Sequence, residues 1–259
     1  MYSGYGAIAY IAYNIFLDSG NEQMKDACFK IIGDGLEYII ENGLCYDFVG
    51  GDLSFVYMAC NIIARHLDLR TLHYNAVERI KDLMIRDHVN LLSGGIAHGS
   101  AGLLIAFNAI NLVTKDSDSI VFDLAKKVRH TLAKCEKNSW CNGKLGIILS
   151  LVKSGTPVTE LDFPELTVDY VLARENLCLC HGLCGELDII LSLLPSQRSA
   201  VRDSLKMLDF STLQIFRESN YFYESFMLGN TGIAYTIMRS EQPTLPSLLA
   251  LDFFDKPEQ

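Results

Sequence analysis

Two short segments of this chain concentrate soft metal ligands: SWCNGKLG, which contains Cys141, and CLCHGLCG, which contains Cys180 and His181. Two thiolates and a neutral imidazole form a donor set suited to zinc. Three protein ligands leave one tetrahedral position open, which marks a catalytic rather than a structural site. A closed site would need a fourth ligand. Cys178 and Cys184 are near enough in sequence to be considered, Cys184 one turn along the helix that follows, and both are expected to pack instead. Asp47 in YDFVGG and His98 in GGIAHGSAG stand in comparable glycine turns. The competing account of His98 is a buried histidine that stabilises its turn. His66, His73, His88 and His130 fall in or beside helical patterns without metal-ligand partners and read as surface or helix-end residues.

The elements that would position these residues follow from a repeat. A glycine turn followed by an apolar run recurs as SGYGAIAYIAY, GGDLSFVYMA, HGSAGLLIAF, NGKLGIILSL, HGLCGELDIIL and GNTGIAYTIM. Counting from Gly4, Gly51, Gly99, Gly143, Gly182 and Gly229, the spacings are 47, 48, 44, 39 and 47 residues. A period in the forties suits a pair of helices with two connections. The helices after the turns are apolar nearly all round, as in Leu103 to Val113, which implies burial on most sides. Between them lie amphipathic helices. Residues 22–41 place Met24, Cys28, Ile31, Ile32, Leu36 and Ile39 on one stripe, and residues 73–87 and 118–135 read the same way.

The fold class expected is therefore all-α: an α/α toroid of inner apolar helices ringed by outer amphipathic ones, in a single domain over residues 1–259. Convergence of equivalent turns at one end of such a ring would make neighbours of Asp47, His98, Cys141, Cys180 and His181. Glycine at the start of each inner helix lets backbones crowd near the axis.

Composition narrows the partners. The formal charge is −9, from 31 acidic and 22 basic residues, with no cluster of Lys and Arg that could track phosphates. Nucleic-acid binding is not expected. The first basic residue is Lys25, so the charged start of a secretion signal is missing, and apolar stretches such as Gly6 to Leu17 are too short to span a bilayer. A cytoplasmic protein without a transmembrane segment is expected. In that setting eight cysteines favour metal binding or catalysis over a disulfide framework. Cys28, Cys60 and Cys135 lie on helical patterns and read as small buried hydrophobes.

The WCNG and CHG motifs, in that order with AHG upstream, resemble those of the lanthionine synthetase C-like (LanC-like) family, cyclases that form thioether rings in lanthipeptides. The likeness runs from SGYGAIAY to LPSLLALDFF. It implies an α/α toroid, with Cys141, Cys180 and His181 as zinc ligands, His98 as the acid/base histidine and Asp47 as its assistant. It also implies that a substrate cysteine thiol joins the zinc, adds to dehydroalanine or dehydrobutyrine, and leaves an enolate to be protonated at its α-carbon. The implied partners are a dehydrated precursor peptide, a lanthipeptide dehydratase and an exporter complex. Two other activities fit the same motifs: addition of glutathione or another small thiol to dehydrated residues, and a non-catalytic zinc-containing scaffold that binds peptide. The chain departs from the family pattern at Leu145 (usually proline), at Ser54 (usually glycine) and at Ala7. Six turns are counted against the family's seven helix pairs, and the N-terminal part is short.

Overall fold

The structure is a computed structural model that describes residues 5–87, 94–116, 119–159, 162–174, 176–208 and 225–253. Every regular element among the described residues is helical. They form two compact units, one built from residues up to Ala133 with Ser150–Pro157, the other from Lys134–Leu149 and Val158–Phe253. His88 lies outside the described residues. No helix among the described residues is long and apolar enough to cross a membrane.

The first unit contains α1 (Tyr5–Ser19), α2 (Glu22–Asn42), α3 (Leu53–Arg65), α4 (Leu67–Asp87), α5 (Ser100–Thr114) and α6 (Ser119–Leu132). The apolar helix α3 lies against both α1 and α5, while α2 packs on α1 and α4, α4 also packs on α3 and α5, and α6 packs on α5. Burial follows composition. In α5 only Asn108, Asn111 and Leu112 escape full burial, and α3 is buried from Leu53 through Cys60. α2 begins where the Asn21 side chain accepts the N–H groups of Gln23 and Met24, and it ends at Gly43, whose φ of 88° suits glycine alone. Its buried residues are Cys28, Ile32, Leu36 and Ile39, with Met24 and Ile31 half-buried. The fully buried Ile32, Leu36 and Ile39 side chains each contribute about 1.5–3 kcal/mol on leaving water.

Three expectations need correction here. α4 starts six residues before the position read from the pattern, because Leu69 also reaches the core. α6 stops at Leu132, so Cys135 is not a helical core residue; it is half-buried in the loop beyond, where its thiol faces the carbonyls of Lys137 and Asn142. The polar run Lys134 to Ser139 offers no apolar face to extend the helix. α1, although apolar, leaves Ile8, Ile11 and Ile15 exposed, since α2 and α3 cover only the stripe containing Ala9, Tyr13 and Phe16.

In the second unit α7 (Lys144–Lys153) begins, and α8 (Val168–Leu172), α9 (Leu183–Leu193), a 3₁₀ turn at Pro195–Gln197, α10 (Arg198–Met207) and α11 (Asn230–Glu241) follow. α9 packs on α10 and α11, and α10 on α8. The shortest repeat spacing leaves only the five-residue α8 between α7 and α9. A buried ion pair joins α9 to α11: the Arg239 guanidinium donates to the Asp188 carboxylate and carbonyl, and Ser247 donates to the other carboxylate oxygen at 2.5 Å. Ala250 N–H donates to Ser247 Oγ at 3.0 Å, which ties in the last described segment. Asp188 and Arg239 are 1% and 5% exposed, so each charge depends on the other for compensation.

The glycine turns have a common construction. In each unit a turn donates a backbone N–H to the next: Phe48 to Ala97 at 2.8 Å, Cys141 to Cys180 at 3.0 Å, and Cys180 to Met227 at 3.0 Å. In three of the turns the second glycine packs on the carbonyl oxygen six residues earlier. A Cβ on Gly102, Gly185 or Gly232 would overlap the oxygen of Ile96, Leu179 or Phe226 respectively. In these three turns the close approach explains why the sequence has glycine there.

Candidate metal centre and acid–base pair

Cys141 enters from the turn before α7, directly after the fully buried Trp140. Cys180 and His181 belong to the turn before α9. The Cys141 N–H···O=C Cys180 bond brings these two turns together although they are distant in sequence. The two Sγ atoms and a ring nitrogen of His181 consequently lie within 4.8 Å of one another. A tetrahedral zinc with bonds of about 2.0–2.3 Å would space such donors about 3.5–3.8 Å apart, so small rotamer adjustments would complete the fit. Cys141 is buried, Cys180 half-buried and His181 exposed, giving the group one dry side and one open side.

The two thiols do not behave alike. The Cys180 thiol donates to Cys141 and pulls its pKa down to about 6, against the upward push of burial and with help from Ser139 and His181. Ser139 Oγ lies 3.9 Å from Cys141 Sγ. Cys180 is pushed up, first because it holds the shared proton and then by burial. A metal ion held by both sulfurs would displace the protons that the thiols carry. Cys178 and Cys184 are buried and stand outside the group of three. Cys178 does more than pack: its sulfur accepts the His181 N–H at 3.5 Å. Burial raises the pKa of both thiols.

Asp47 and His98 meet in the first unit. The Phe48 N–H bond to Ala97 sets their turns side by side, and His98 Nδ1 lies 2.5 Å from Asp47 Oδ2. Asp47 Oδ1 accepts the N–H groups of Val49 at 2.8 Å and Gly50 at 2.6 Å. Burial alone would raise the Asp47 pKa, but the His98 contact and these N–H donors outweigh it and hold the carboxyl below its ordinary value. The His98 side chain is 53% exposed, so it is not a buried turn-stabilising histidine. The other described histidines stay apart from the group of three: His66 caps α3 and bonds Tyr13, His73 is half-buried on α4, and His130 is exposed on α6.

Sequence reasoning missed two buried polar clusters in the same unit, one of Glu186 with Tyr170 and Arg174 and one of Asp188 with Arg239 and Ser247. Glu186 and Asp188 are two acids in an otherwise apolar α9, and that interruption was the available signal.

The family model for lanthionine synthetase C-like proteins matches residues 1–253. The chain belongs to that family. Within this lanthionine synthetase C-like protein the Cys141, Cys180 and His181 cluster has the composition of a metal site. A comparison with curated proteins finds no match.

Proposed function

We propose that this protein is a zinc-dependent lanthipeptide cyclase that forms lanthionine and methyllanthionine rings in a dehydrated precursor peptide. The observation that carries the reading is the Cys₂His cluster, assembled from two separate turns and open on the His181 side. When bound, zinc would accept a substrate thiol in its open position and lower that thiol's pKa, making it a nucleophile near neutral pH. Cys141, Cys180 and His181 would hold the metal. Two protein thiolates in that shell would keep the incoming sulfur electron-rich.

The substrate sulfur forms a bond to the β-carbon of dehydroalanine or dehydrobutyrine, and the alkene electrons move onto the carbonyl as an enolate. A proton must then reach the α-carbon. His98 is assigned that transfer. Asp47 engages Nδ1 and orients the ring, so Nε2 is the atom that would exchange the proton with substrate. The reaction conserves mass, since the proton lost from sulfur is balanced by the one gained at carbon.

The family expectation of a single α/α-toroid domain, acting in the cytoplasm beside a dehydratase and an exporter, belongs to the same proposal. The test is to incubate the protein and zinc with a peptide containing one dehydroalanine and one cysteine, then alkylate. Loss of the alkylatable thiol at constant mass is the expected result. Full alkylation would count against the reading for that peptide. Glutathione added to a cysteine-free dehydrated peptide separates the small-thiol activity, which would raise the mass.

A further inference from the structure

A second polar cluster lies in the same unit as the three candidate ligands, and the chemistry above uses none of its members. Glu186, on α9, is 2% exposed. The Tyr170 hydroxyl, from α8, donates to its carboxylate. Arg174 Nη2 donates to the phenol oxygen at 2.8 Å and to Glu186 Oε2 at 3.3 Å, and its guanidinium lies 4.5 Å above the Tyr170 ring. Asn138 Nδ2 donates to the same phenol oxygen at 3.1 Å. That oxygen therefore gives one hydrogen bond and accepts two, its full capacity.

The arrangement joins two particular segments. Asn138 opens the turn that carries Cys141 three residues later. Glu186 belongs to the helix whose N-terminal turn carries Cys180 and His181. The phenol is thus a second tie between the two ligand-bearing segments, independent of the Cys141–Cys180 backbone bond. Core burial does not account for α8, because Val168 and Leu172 are 50% and 60% exposed and only Val171 is buried. The polar bridge is what its five residues deliver.

We propose that Tyr170 is a positioning residue for the metal centre: its hydroxyl, anchored on Glu186 and Arg174, holds the Cys141 turn at the spacing from Cys180 and His181 that the metal needs. This rests on the zinc reading above. Groups that orient metal ligands typically change affinity by about 10–100-fold when removed.

The measurement is zinc affinity by competition with a chromophoric chelator, together with the visible spectrum of the cobalt-substituted protein. Tyr170→Phe keeps the ring and its stacking but removes the hydroxyl. It is expected to weaken zinc binding about tenfold and to alter the cobalt bands. Asn138→Ala removes only the arm toward the Cys141 turn, leaves Glu186 paired, and serves if Tyr170→Phe does not fold. It is expected to act in the same direction, and the double variant is expected to be little weaker than Tyr170→Phe alone. Wild-type affinity and spectrum in folded Tyr170→Phe, or in Asn138→Ala, would overturn the proposal. A wild-type chain that binds no zinc would overturn the metal reading and this inference with it. Equal binding by wild type and variant overturns the inference alone.

Discussion

Asp47 shows how much a single side chain does in this molecule. Its two oxygens divide the work, one accepting backbone N–H groups that shape its own turn and the other meeting His98. Because its pKa is held below the ordinary 3.8, the contact stabilises the fold above that value and is lost as pH falls through the lowered pKa. Asp47→Asn is therefore expected to be less stable than wild type near pH 6 in urea unfolding, by no more than about 1 kcal/mol because the pair is partly exposed. The difference should close as the pH is lowered towards about 2. A difference that persists in acid would mean that the carboxylate charge is not what stabilises the turn. The residue types at the candidate centre were legible because Cys141, Cys180 and His181 are soft ligands in equivalent turns. Tyr170 was not legible, since nothing in its own surroundings in sequence separates it from any half-buried tyrosine.

At the scale of elements, the repeat exists because an inner helix must start against its own preceding turn. Gly185→Ala would drive a Cβ into the Leu179 carbonyl, a backbone atom that cannot rotate away. A loss of about 3 kcal/mol or more is expected by urea unfolding, within the range of severe core overpacking. Gly20→Ala is the control: its φ is 71° with nothing within 4 Å of a new Cβ, so only backbone strain of about 1–2 kcal/mol applies. Equal losses would refute the close-approach argument. The stripe of α2 could be read from Cys28, Ile32, Leu36 and Ile39, because a one-sided helix writes its burial into its spacing. The five-residue α8 could not, since polar bonds from Tyr170 rather than an apolar period hold it. Likewise the Asp188–Arg239–Ser247 network joins residues 51 and 59 positions apart, and no local pattern encodes such pairing.

For the whole molecule, a formal charge of −9 without a basic cluster disfavours a phosphate-tracking, nucleic-acid-binding surface. Membership of the lanthionine synthetase C-like family was legible from the combination of WCNG and CHG in that order with AHG upstream, since any one of these short motifs alone is weak, and the family model matches residues 1–253. The proposal of a single domain has its own consequence. Trp140 is the one tryptophan and lies in the second unit, whereas far-UV circular dichroism reports helices throughout. Coincident urea transitions from tryptophan fluorescence and circular dichroism are expected of a single cooperative domain. Two separated transitions would show that the units fold independently.

The central claim, a catalytic zinc centre that takes up a substrate thiol, is tested most directly by zinc X-ray absorption on the reconstituted protein. The account predicts two sulfur scatterers at about 2.3 Å with nitrogen or oxygen completing the shell, and three sulfurs once a cysteine-containing peptide is added. A shell without sulfur, or a sulfur count that the peptide leaves unchanged, would contradict it.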